Sequence, residues 1–97
     1  MNQNIENVCQ KIAVDFDVRK IIVFSVKHDL SGKVMSFKIC VVSDCDPQKI
    51  ERDIYCCVES DVPYDVICYH SEDFERMIKD GTSFASRINE TGAVHNG

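Results

Sequence analysis

Three groups of side chains in this sequence could do chemistry. Ser36, Lys38 and Cys40 alternate along VMSFKICVV, Asp65 sits among apolar residues in YDVICY, and six cysteines fall at positions 9, 40, 45, 56, 57 and 68. Alternation puts Ser36, Lys38 and Cys40 on one face of an extended segment, with Met35, Phe37, Ile39 and Val41 on the other. A strand this apolar has no structural need for a serine and a lysine side by side. Asp65 poses the matching question, because a carboxylate among strand apolars is costly unless it is paired, liganded or near a solvated edge. It follows Pro63 near the start of its strand, so both an edge position and a paired or liganded one stay open.

The cysteines could hold a metal or form disulfides, but their spacing favours neither. No Cys-x-x-Cys occurs, Cys56 and Cys57 are adjacent, and no His stands at zinc-finger spacing from a Cys pair. They are expected to be buried thiols acting as small hydrophobes in a reducing compartment. A disulfide framework or a zinc site is the alternative. His28 and His70 read as solvated loop residues rather than bases. Tyr55, Tyr64 and Tyr69 read as core-rim aromatics, since no basic groove accompanies them as a base-stacking platform would require. Ser71–Glu75 is first a helix N-terminus and only second a metal site.

The whole chain bounds these options. Its 97 residues make one domain, 1–97, with 44% hydrophobic and 28% charged residues. Eleven Lys+Arg against 16 Asp+Glu leave a net charge of −5 with no basic stripe, so no nucleic-acid partner is expected. A partner with a basic face is easier to accommodate. MNQNIENVCQ lacks the apolar run of a signal peptide, and no stretch approaches the ~20 apolar residues of a membrane helix. A cytoplasmic protein without membrane contact is expected.

Periodicity supplies the elements. Ile5, Val8, Cys9, Ile12, Ala13 and Phe16 recur at helical spacing over 3–16. KIIVFSV (20–26) is a β-branched run suited to a buried strand, and KHDLSGK (27–33) reads as a turn into the second strand. So short a link requires antiparallel pairing. Asp46 and Pro47 cap and open a helix reaching about Ser60, whose inner face carries Ile50, Ile54, Cys57 and Val58. VPYDVICY then forms a third strand, parallel to the second through a right-handed crossover. Ser71 is expected to cap a short helix with Phe74, Met77 and Ile78 inside. Phe84 and Ile88 mark a last helix stopped near Gly92, and AVHNG should be loose. The order α-β-β-α-β-α-α predicts an α/β (α+β) two-layer sandwich, with a small mixed three-stranded sheet and helices packed on it.

Residues 61–92, DVPYDVICYHSEDFERMIKDGTSFASRINETG, resemble the C-terminal half of the minimal nucleotidyltransferases of the DNA polymerase beta superfamily. The shared features are an apolar-Asp-apolar strand, a Ser-capped helix opening SEDFE, a Ser-Phe-x-x-x-Ile helix and a Glu-x-Gly turn. Residues 1–60 match in architecture only. The resemblance implies Gly-Ser after the first strand, Asp-x-Asp on the second and a third carboxylate on the third. In such a site the acids hold two divalent cations that stabilise the transferred phosphoryl group. Here the Gly-Ser position reads Ser25-Val26, the Asp-x-Asp pair falls on Ser36 and Lys38, and only Asp65 matches a ligand. One carboxylate cannot hold two Mg²⁺ ions, and an ammonium repels them. No cofactor is therefore expected, and Ser25, Ser36, Lys38 and Asp65 are vestiges of a site. Lys38 and Asp65 are expected to pair across adjacent strands.

The resemblance thus implies a non-catalytic binding module, partnered by a helical protein of the HEPN type, as in two-component toxin–antitoxin-like systems, or by a second copy of itself. The alternative is an enzyme with residual Mg²⁺- and ATP-dependent transfer, using Asp65 with Asp29 or Asp44. A small α/β domain unrelated to that family is the third reading.

Overall fold

A computed structural model describes residues 2–95. The elements are α1 (Gln3–Asp15), β1 (Lys20–His28), β2 (Val34–Ser43), α2 (Pro47–Cys57), β3 (Tyr64–His70), α3 (Ser71–Ile78), α4 (Phe84–Thr91) and β4 (Ala93–His95). They form a mixed four-stranded sheet in the order β3-β2-β1-β4. β1 pairs antiparallel with β2 and with β4, and β2 pairs parallel with β3.

Local chemistry explains most boundaries. The Asn2 side chain accepts from the Asn4 and Ile5 N–H groups and starts α1. Asp46 accepts from Gln48 N–H, with Pro47 in the first helical turn of α2. Between β1 and β2 the Asp29 carboxylate accepts from the Ser31 and Lys33 N–H groups and from the Ser31 hydroxyl. Gly32 follows at φ +90, in the left-handed region that glycine enters without strain. That compact turn brings the strands back antiparallel.

The core lies mainly on one face of the sheet. Ile5, Val8, Cys9 and Ile12 of α1 and Ile50, Ile54 and Val58 of the α2 segment pack on Ile21, Val23, Phe37, Ile39, Val41 and Val66. This is a two-layer α+β sandwich. The second face is covered only towards the start of β1, where Phe74, Ala85 and Ile88 from α3 and α4 meet Ile22, Cys40 and Val42. Ile12, Ile21, Ile22, Ile39 and Ile54 are fully buried, each contributing about 1.5–3 kcal/mol of transfer free energy.

The sheet has four strands, not the three expected. Ala93–His95 of the expected loose tail pairs with β1 through Ile21↔His95, Ile22↔Val94 and Val23↔Ala93. Gly92 makes this possible: a Cβ there would lie 2.4 Å from Ile22 Cγ2 and 2.8 Å from the Ile88 carbonyl oxygen. The chain therefore turns tightly off α4 onto β1. His95 Nε2 then lies 3.2 Å from Glu6 on α1. Asn96 and Gly97 lie outside the described residues.

Three finer expectations also shift. β1 runs through Lys27 to His28, so the turn is shorter than 27–33. α2 ends at Cys57, not near Ser60, with the Val58 N–H donating to the Ile54 carbonyl. Cys57 is exposed while Ile50, Ile54 and Val58 carry the inner face. The cap of α3 is His70, whose Nδ1 accepts from Glu72 N–H. Ser71 is instead the first helical residue, and its hydroxyl donates to Asp44.

Candidate functional site

Beyond the short helices α3 and α4, the second face of the sheet is open, and the four singled-out residues meet there. In β1 the register passes from Phe24↔Lys38 to Lys27↔Ser36, so Ser25 and Val26 together oppose the single residue Phe37. This bulge bends the strand and re-aims its side chains. Ser25 sits in it at φ 49, the one non-glycine with positive φ among the described residues. An L-residue is disfavoured there, and such conformations persist where the surroundings over-determine them. A second register shift follows before His28↔Val34, which returns Val34 to the α1/α2 core beside Phe37.

On the other side, β3 lies parallel to β2 with Phe37↔Tyr64 and Lys38↔Asp65 in register. The Tyr64 ring stacks on Phe37 at 5.7 Å and on Tyr55 at 5.9 Å. Its hydroxyl donates to the Val58 carbonyl, and burial pushes its phenol above the ordinary value. The Tyr55 hydroxyl accepts from the outward-facing Val66 N–H at 2.8 Å, which closes that part of the β3 edge. Asp65 is thus carried by a tightly held stretch of backbone.

The result is an open pocket of about 290 Å³, lined by Ser25, Ser36, Lys38 and Asp65 together with Lys27, over Phe37, Pro63 and Tyr64. The structure therefore brings together all four residues singled out in the sequence. It adds Lys27, a residue of the expected turn 27–33. Strict alternation along KIIVFSVKH would put Lys27 on the core side with Ile21 and Val23; the bulge at Ser25 turns it to the pocket, so no pattern in the sequence marks it.

Lys38 and Asp65 do not form the expected ion pair. They are neighbours across β2 and β3, but no nitrogen–oxygen contact within 4.0 Å joins them. The ion pairs among the described residues are Lys11–Asp15, Arg19–Asp44, Lys49–Asp53, Arg76–Asp73 and His95–Glu6. Both side chains are exposed, and water solvates each as well as the partner would, so an exposed pair gains only ~0–1 kcal/mol.

Neither proposed substitute ligand joins Asp65. The Asp29 carboxylate is held in its turn by Ser31 and Lys33, which keep it below the usual carboxylate range. Asp44 lies just past the far end of β2. It accepts from the Ser71 hydroxyl and from Arg19 Nε at 2.7 Å, and these bonds hold its carboxyl below the usual carboxylate range too. The Arg19–Asp44–Ser71 bridge joins residues that form no sequence motif. Among the described residues, no three His, Cys, Asp or Glu side chains converge as a metal-ligand group.

The cysteines divide differently from expectation. Cys9 and Cys40 are buried and Cys68 is half-buried, and desolvation pushes all three thiols up to about 12. Cys45, Cys56 and Cys57 are exposed, and all six are free thiols. Cys45 precedes α2 and Cys56 lies off the Ile50–Ile54 face; Cys57 keeps the spacing of that face, but it is the last residue of the helix and is exposed. His28 is exposed as expected, whereas His70 ends β3 and caps α3. Comparisons of the chain with family profiles, with curated proteins and with solved structures return no match.

Proposed function

We propose that this chain is a degenerate minimal nucleotidyltransferase that acts as a binding module and not as an enzyme. The observation that carries the reading is the convergence of Ser25, Ser36, Lys38 and Asp65 on one pocket with a single carboxylate among them. These positions lie on three neighbouring strands, and their meeting on one face is what the resemblance implies. The glycine-like φ of Ser25, at the place where the family carries glycine, supports the same reading. Two-metal phosphoryl transfer needs clustered acids. Here Ser36 supplies no charge and Lys38 the opposite one. Asp29 and Asp44, the acids that an alternative enzyme would recruit, are engaged elsewhere.

The partner consistent with this reading is a HEPN-type helical protein, as in two-component toxin–antitoxin-like pairs, or a second copy of the chain. The test has two parts. With labelled ATP and Mg²⁺, no transfer to protein or nucleic acid is expected. The double substitution S36D/K38D should create Mn²⁺ binding, seen as paramagnetic broadening centred on β2 and β3, that the parent lacks. Sedimentation of the chain alone and with a HEPN-type protein encoded beside it should give a defined complex in one of the two cases. Mg²⁺-dependent transfer lost in D65N refutes the reading.

A further inference from the structure

The same pocket has a polarity of its own. The chain carries a net charge of −5, yet the pocket wall holds Lys27 and Lys38 against the single acid Asp65. A second pocket, near the start of β1, also holds two cations, but Arg19 there is tied to Asp44 and Lys20 to Asn89. Lys27 and Lys38 have no side-chain hydrogen bond or ion pair within the described residues, and neither do the hydroxyls of Ser25 and Ser36. The backbone of Ser25 is held in a disfavoured conformation at this spot, which is where proteins retain strain for function.

We propose that this pocket binds a phosphate chain directly, on the ammonium groups of Lys27 and Lys38 and the hydroxyls of Ser25 and Ser36, with no divalent cation between protein and ligand. A lysine ammonium is a compact point charge that suits phosphate oxygens, and the hydroxyls supply directed donors. The volume of about 290 Å³ lies at the small end of ligand sites, which suits a phosphate chain without requiring the rest of a large ligand to be enclosed. Two ammoniums would repel the Mg²⁺ that such anions carry in solution, so protein and metal compete for the same oxygens. This rests on the reading of the pocket as one that has lost its metals. The chemistry is shared by free polyphosphate and by nucleoside polyphosphates.

Calorimetric titration and amide-shift mapping with inorganic tripolyphosphate, in chelator, test it. Binding is expected, with shifts centred on Ser25, Lys27 and Lys38. Lys27→Gln and Lys38→Gln should each weaken it about three- to tenfold, since a charge-assisted contact at an exposed site is being removed. Asp65→Asn should tighten it, and Mg²⁺ should lower the apparent affinity. All of these positions are exposed or half-exposed, so circular dichroism should report unchanged folding. ATP binding more tightly than tripolyphosphate assigns a nucleotide, and equal affinities assign free polyphosphate. Absence of binding at millimolar tripolyphosphate and ATP overturns the proposal, as does an equal loss from the remote substitution Lys79→Gln. Absence of binding leaves the reading of a silenced enzyme intact. Binding that requires Mg²⁺ and leads to transfer overturns both.

Discussion

Replacing Ser25 by glycine should stabilise this protein. Ser25 holds φ 49 in the β1 bulge. An L-residue in the left-handed region costs about 1–2 kcal/mol, from the approach of its Cβ to the carbonyl oxygen. Glycine removes that cost but loses about 0.5–1 kcal/mol through the greater freedom of its unfolded chain. The difference favours glycine by about 0.5–1 kcal/mol. For a chain of 97 residues, an unfolding entropy of about 2.1 cal/mol/K per residue gives about 0.2 kcal/mol/K in all, so Tm should rise by about 2–5 °C. Ser25 is exposed, so losing its hydroxyl leaves no buried donor unpaired. Ser25→Val should act in the opposite sense, because a β-branched residue tolerates this region least. Thermal melts followed by circular dichroism, with urea midpoints as a second measure, decide the matter. A fall in Tm for Ser25→Gly, or no loss for Ser25→Val, would mean that the bulge does not hold this residue at positive φ, and the argument from the glycine-like site would go with it.

Gly92→Ala should cost about 2–3 kcal/mol, because the new Cβ meets Ile22 Cγ2 and the carbonyl oxygens of Ile88 and Val23 at 2.4, 2.8 and 3.1 Å. Hydrogen exchange should show β4 amides losing protection first, and stability within error of the parent would contradict the tight turn onto β1. Tyr55→Phe leaves the Val66 N–H without its acceptor and should cost about 1–2 kcal/mol; an unchanged urea midpoint would show that water replaces the hydroxyl at no loss. Iodoacetamide should label Cys45, Cys56 and Cys57 in the native protein and reach Cys9, Cys40 and Cys68 only on unfolding, with native labelling of Cys40 as fast as Cys56 as the contrary result. The last three thiols are raised from 9.0 to about 12 in the folded state. The folded chain therefore keeps protons that the unfolded chain releases, and the urea midpoint should hold below pH 9 and fall as pH rises towards about 12.

Much of this fold is legible in the sequence where one interaction dominates. The 3.6-residue spacing of Ile5, Val8, Cys9 and Ile12 needs only one apolar layer to become α1, and these four are its buried residues. Asp46-Pro47 states a helix start in local chemistry alone. Features that depend on a distant surface are not legible. Ala93–His95 is too short to show alternation, and it becomes a strand because Gly92 lets it reach the backbone of β1. At the start of α3 both His70 and Ser71 can cap; the choice falls to His70 because Asp44 claims the Ser71 hydroxyl. In the site, Ser25, Ser36, Lys38 and Asp65 could be picked out as positions, but their contact geometry could not, since it depends on a bulge that no residue type announces.

If the pocket is the silenced site proposed above, the separation of the two strand faces explains how it keeps its shape after its chemistry is gone. Along β2, Phe37, Ile39 and Val41 are packed against α1 and α2, while Lys38 between them faces the open pocket. Register is set by the packed set, because a slip of one residue would turn it to solvent. The stacked rings of Phe37, Tyr64 and Tyr55 fix β3 beside β2 from the same buried side. Ser36, Lys38 and Asp65 contribute little to that packing, so selection acting on stability alone leaves their identities free while holding their positions. Under that proposal, a pocket of altered charge on an unaltered frame is what loss of metal chemistry with retention of the fold would leave. The contents of the pocket, two ammoniums and two hydroxyls without side-chain partners among the described residues, are then the place to look for what such a site does instead.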